Sequence, residues 1–107
     1  MNVYQLNDMV GGWFVGDFEP TAFKTKNFEV GYHRYEKGQE WDKHIHKLTT
    51  EINYIIRGRM TINGELFEEG DVFIIYPNEV SEPEYLTNCE LIVTRDGSFK
   101  NDKYIIK

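Results

Sequence analysis

The chain contains a single cysteine, Cys89, so no disulfide can close within it. A lone cysteine among extended residues usually packs as a small apolar side chain, and Cys89 is expected to do so. No stretch approaches the roughly 18 consecutive apolar residues that a membrane-spanning helix requires. The first residues, Met1 to Asp8, lack the basic start and apolar run of a secretory signal. A cytoplasmic location with no membrane partner is the resulting expectation. Basic charge is scarce too: 12 Lys and Arg stand against 18 Asp and Glu, a formal net charge of -6. That balance repels a phosphate polymer, and no basic patch offsets it, so no nucleic-acid partner is expected. Helical periodicity is nearly absent, as are linkers, repeats and low-complexity tracts.

What is present is enough to fold. At 107 residues, 40% hydrophobic and 15% aromatic, the chain can bury one core and is too apolar for disorder. Extended runs rich in β-branched and aromatic residues occupy 13–15, 28–35, 51–57, 58–62, 65–69, 72–76, 82–86 and 90–94. Turn residues separate them at intervals of about 8 to 12, the spacing of an all-β sandwich or barrel. Asn63-Gly64 is a strong hairpin signal because both residues tolerate positive φ. Gly58, Gly64 and Gly70 are read as turn positions. One all-β domain spanning residues 1–107 is predicted. Its tail ends in Tyr104, Ile105 and Ile106, which are expected to pack against the body or a neighbouring copy.

The chemistry concentrates at residues 38–58. His44 and His46 lie one residue apart, so on an extended segment they share a face. The polar break Lys47-Leu-Thr-Thr50 can turn the chain and bring Glu51 beside them. Two imidazoles and a carboxylate form a facial ligand set that suits Fe(II), Mn(II), Zn(II) or Ni(II). If Glu51 is buried, it needs protonation, solvation or a cation. Either a divalent metal answers that need, or a protonated histidine pairs with Glu51 in a metal-free acid/base pocket. A hydrated polar barrel with no task is the third possibility. Lys43 and Lys47 alternate to the opposite face and are expected in solvent. His33, Tyr35, Trp41 and Tyr76 are read as packing or rim residues.

Along residues 51–57, Glu51, Asn53 and Ile55 share one face while Ile52, Tyr54 and Ile56 share the other. The wholly apolar face is thus opposite the candidate ligand. An interior that is half polar, with the outer stripe covered by a second subunit, explains this pattern, and a homodimer is expected.

Gly38, five residues, His44-x-His46, four residues, Glu51, six residues and Gly58 resemble the first motif of the cupin superfamily, with every spacing in register. Gly70-Asp71-Val72-Phe73-Ile74-Ile75-Tyr76-Pro77-Asn78 resembles the second. The resemblance covers residues from about 28 to 95. It implies a single-domain double-stranded β-helix, or jelly-roll barrel, in which His44, His46 and Glu51 match metal-ligand positions. The family's fourth ligand, a histidine, falls at Ser81, and Asn78 stands where the motif has a turn glycine. Glu82 and Glu84 alternate away from Ser81 and do not replace it.

The leading expectation is a small cupin of unassigned reaction, holding a divalent metal at that set and a small-molecule ligand at the open positions. His44-Ile45-His46-Lys47 also resembles the paired histidines of metal-free nucleotide-sugar ketoisomerases of cupin type. Those enzymes usually carry glutamine near the position of Glu51, and they are longer. A non-enzymatic small-ligand sensor is a further alternative.

Overall fold

Strand alternation is visible directly in burial. Along one strand Cys89, Leu91 and Val93 are buried, while Glu90, Ile92 and Thr94 between them are only half-buried. The computed structural model describes residues 1–107. One turn of 3-10 helix, Leu6–Asp8, precedes ten short strands. These are β1 (Trp13–Val15), β2 (Glu29–Tyr35), β3 (His44–Ile45), β4 (Glu51–Arg57) and β5 (Arg59–Ile62). They continue as β6 (Glu65–Glu68), β7 (Val72–Ile75), β8 (Pro83–Tyr85), β9 (Cys89–Arg95) and β10 (Tyr104–Ile105). No helix is long and apolar enough to cross a membrane.

The strands form a five-stranded sheet in the order β1-β2-β9-β4-β7, a three-stranded sheet β6-β5-β8, and the pair β10-β3. Every pairing is antiparallel. The inner faces meet over Ile55, Leu91, Val93 and Phe73 from the larger sheet and Met60 and Tyr85 from the smaller, with Cys89 completing the core. Cys89 is 1% exposed, the packing role expected of it. The architecture is the double-stranded β-helix in a single domain. Several of these core residues also line the cavity that holds the polar side chains.

Three local features hold this geometry. Asn63 and Gly64 have φ of 52° and 82° and close the β5–β6 hairpin. Asn78 takes φ of 70°, so it serves the turn in which the family motif places glycine. Gly58 does more than turn the chain. Its φ is 103°, and a Cβ there would lie 2.3 Å from the Asn88 carbonyl oxygen. The β4–β5 corner therefore requires glycine for space as well as for conformation.

The outer face of the five-stranded sheet is apolar along β4 and β7, while β2 and β9 carry the Arg34–Glu90 pair there. Ile52 stands opposite Ile74, and Tyr54 stands opposite Val72. Their exposures are 40%, 43%, 43% and 63% respectively. The tail reaches the body, one of the two placements expected of it. Tyr104 and Ile105 do so as β10, pairing with β3, but both side chains stay exposed and only Ile106 is half-buried. Backbone pairing and one buried carboxylate, Asp102, anchor the tail in place of apolar packing.

Candidate functional site

β3 positions the two histidines. As the alternation requires, His44 and His46 are both buried, while Lys43 and Lys47 are exposed. His44 exchanges both backbone hydrogen bonds with Ser81, at 3.0 and 2.8 Å, which sets the segment against the chain before β8. The imidazole rings lie 5.2 Å apart, nearly perpendicular. His44 Nδ1 is 2.6 Å from the Asp42 carbonyl oxygen, and His46 Nδ1 is 2.6 Å from that of Asp102. A carbonyl only accepts, so each Nδ1 carries a proton, and the neutral tautomer this selects has its lone pair on Nε2. Burial pushes the His44 pKa below its ordinary value, against the opposing Asp42 hydrogen bond. Its neutral form is thereby favoured.

Glu51, at the start of β4, brings its Oε2 to 3.6 Å from His46 Nε2. Two donors on one metal at about 2.1 Å stand roughly 3.0–3.4 Å apart, so this separation is near that of shared ligands. The same Oε2, however, accepts a hydrogen bond of 3.0 Å from Arg95 Nε. Arg95 Nη1 donates to Glu29 Oε1 at 3.2 Å, and Ser98 Oγ donates to Glu29 Oε2 at 2.8 Å. The guanidinium also lies over the Trp13 ring, 4.5 Å from its centroid. One cation thus serves two carboxylates, leaving a formal surplus of negative charge. No group of three His, Cys, Asp or Glu side chains stands in ready coordination geometry. Each imidazole presents an Nε2 donor of the kind a divalent cation takes, and Glu51 could join them only by giving up part of its bond to Arg95.

His33 lies inside, beside these groups. Its ring meets Trp13 edge-on at 4.6 Å, and its Nε2 is buried without a hydrogen-bond partner. Burial, then the Arg95 charge, pushes its pKa down from 6.5. Tyr35 and Tyr85 stack with ring centroids 4.4 Å apart, and Trp41 meets Tyr35 edge-on at 5.7 Å. Burial raises the pKa of both tyrosines, so they remain neutral hydroxyls. A cavity of about 850 Å³ joins all of these with Ser81. Ser81 is 4% exposed and borders the cavity where the motif has histidine, while Glu82 and Glu84 are exposed. The three sequence-predicted residues therefore share one cavity.

Arg95, Glu29 and Asp102 were not singled out from the sequence, and His33 was read there only as a packing or rim residue. Alternation carried a signal for three of them. Arg95 continues the inward series of Cys89, Leu91 and Val93, and Glu29 and His33 share a face with Gly31 and Tyr35.

No protein-family model matches the sequence. No curated protein matches it either. Solved structures do match the fold. An uncharacterized conserved protein with a double-stranded β-helix domain from Klebsiella pneumoniae aligns with a TM-score of 0.68 at 18% identity, over 76% of this chain and 71% of that one. An RmlC-like cupin from Shewanella frigidimarina aligns with a TM-score of 0.63 at 20% identity, over 72% of each chain. The DMSP lyase DddQ from Ruegeria pomeroyi aligns with a TM-score of 0.69 at 15% identity, over 85% of this chain. This chain spans only 48% of the lyase. At these identities the likeness establishes the cupin fold, and the lyase activity is a property of the Ruegeria protein.

Proposed function

We propose that this chain is a small metal-binding cupin, holding a divalent cation through His44, His46 and Glu51 and a small-molecule ligand at the remaining positions. The observation carrying this reading is the pair of Nε2 lone pairs, each fixed by an Nδ1–H bond to a backbone carbonyl. Metal-bound histidines are oriented by such bonds, which set the tautomer and keep the ring basic. The surplus carboxylate charge beside His46 adds attraction for a cation. Ser81 contributes no imidazole, so three protein ligands leave open positions for a ligand oxygen. A divalent ion supplies Lewis-acid polarisation of that oxygen. The chain's own part is to orient the donors, favour the neutral imidazole of His44 and wall the cavity with Tyr35, Tyr85 and Trp41. Two nitrogens and one oxygen suit Fe(II), Mn(II), Zn(II) and Ni(II) alike. Titration of chelator-stripped protein with Mn(II) and Zn(II) tests the reading. One ion should bind per chain, and His46→Ala should lose it; equal binding by both proteins contradicts the ligand set.

The hydrogen bond from Arg95 to Glu51 Oε2 favours a second reading. In that reading Arg95 is the counter-charge of Glu51, and His44 and His46 act as a metal-free acid/base pair on a bound ligand. Protein that takes up no metal, yet is stabilised by a small hydroxylated or carbonyl ligand through His44 and His46, supports it over the first.

The exposed face of Ile52, Tyr54, Val72 and Ile74 is assigned here to a second copy of the chain. β7 is a free edge of the five-stranded sheet. A two-fold axis beside it would bury the patch against itself, which a self-complementary apolar surface without charges permits.

A further inference from the structure

The tail takes a larger part in the site than its sequence position suggests. After β9 the chain turns, crosses the barrel end and returns as β10 alongside β3, with Tyr104 opposite Ile45 and Ile105 opposite His44. The Ile106 amide donates to the Lys43 carbonyl at 2.9 Å. Between turn and strand lies Asp102, 8% exposed. Its Oδ1 accepts from the amides of Lys47 at 3.0 Å and Leu48 at 3.1 Å. Its Oδ2 accepts from Leu48 at 3.2 Å and from the Thr49 hydroxyl at 3.2 Å. Its own carbonyl accepts His46 Nδ1–H. One residue therefore holds both the imidazole and the loop that leads from it to Glu51.

The carboxylate has every reason to be there. Residues 47–50 leave β3 without a strand partner, so their amides need acceptors, and a charged acceptor is stronger than a neutral one. The same grip fixes where the Asp102 backbone sits, and hence where its carbonyl meets His46.

We propose that Asp102 is the positioning residue of this site: its carboxylate pins the 47–49 loop to the tail, so that its carbonyl holds His46 in the Nδ1–H tautomer with Nε2 facing the cavity. The consequence for metal affinity rests on the metal reading above; the consequence for the tautomer does not.

The test compares wild type, Asp102→Ala and Asp102→Asn in full-length protein, each checked for folding by near-UV circular dichroism. Long-range proton–nitrogen NMR of the metal-stripped proteins at alkaline pH reports the His46 tautomer, and Zn(II) titration reports affinity. Wild type should show the Nδ1–H form alone. Asp102→Ala should show a tautomer mixture and bind Zn(II) about 10–100-fold more weakly, the usual cost of losing an outer-shell partner. Asp102→Asn retains acceptors for the two amides and should restore the single tautomer and most of the affinity. A wild-type tautomer in Asp102→Ala overturns the proposal, even if affinity falls. Should Asp102→Ala fail to fold, Asp102→Ser decides in its place, with a tautomer mixture supporting the proposal and a pure Nδ1–H form overturning it. If wild type takes up no Zn(II), the metal reading fails while the tautomer comparison still decides this one.

Discussion

Arg95 is the side chain on which the buried charges depend. It contacts Glu29 and Glu51 while its own side chain keeps 24% exposure. Replacing it by methionine keeps an apolar stem beside Trp13 but leaves both carboxylates without their cation. Removing one partner of a fully buried pair costs about 3–5 kcal/mol; with solvent reaching this one, about 2–3 kcal/mol is expected for Arg95→Met. Urea unfolding at neutral pH measures it, and a loss below about 0.5 kcal/mol would mean the cluster is solvated rather than paired. His33 supplies a second residue-scale prediction. Its folded pKa lies below 6.5 because burial and Arg95 disfavour the charged ring, with Glu51 opposing. The unfolded chain takes up that proton first as pH falls. Stability is therefore complete above pH 6.5 and declines below it, down to the folded pKa, by up to about 1.4 kcal/mol per pH unit for each such group. His44 shifts the same way. His33→Phe should make the stability profile below pH 6.5 shallower by up to one proton; an unchanged slope would place His33 in solvent.

At the scale of elements, glycine positions separate two effects. Gly64 has φ of 82° with nothing within 4 Å of an added Cβ, whereas at Gly58 the Asn88 carbonyl stands 2.3 Å from it. Gly64→Ala should cost about 1 kcal/mol, the strain of a left-handed residue alone. Gly58→Ala should cost more than about 3 kcal/mol, because backbone must move as well. Similar thermal stabilities for the two variants would contradict the close approach. Much of this was legible in the sequence. Asn63-Gly64 announced a hairpin, alternation separated the apolar and polar faces of residues 51–57, and His44-x-His46 placed its neighbours Lys43 and Lys47 outside. The remainder depends on contacts between distant residues. Arg95 joins Glu29 to Glu51 only because β9 lies between β2 and β4, and Asp102 reaches His46 across 56 positions of sequence. Tyr104, Ile105 and Ile106 were expected to pack against the body or a neighbouring copy; against the body, the docking runs mainly through the β10–β3 backbone pairing and the Asp102 carboxylate.

For the whole molecule, the apolar sheet exterior and the polar cavity are two faces of one pattern. Glu51, Asn53 and Ile55 point inward, so Ile52, Tyr54 and Ile56 must point out. The proposed second copy covers that exterior. Sedimentation equilibrium at micromolar concentration should give twice 12.7 kDa, and Ile74→Lys should return the single-chain mass; a single-chain mass for wild type would remove the dimer. The cavity is the other half of the pattern, and its occupant is the central claim. A crystal structure with anomalous data collected at the manganese, iron, nickel and zinc edges tests it most directly. The prediction is one anomalous peak about 2.0–2.2 Å from Nε2 of His44, Nε2 of His46 and a Glu51 carboxylate oxygen. A cavity without such a peak in crystals grown with these metals, with Glu51 still bound to Arg95, would contradict it.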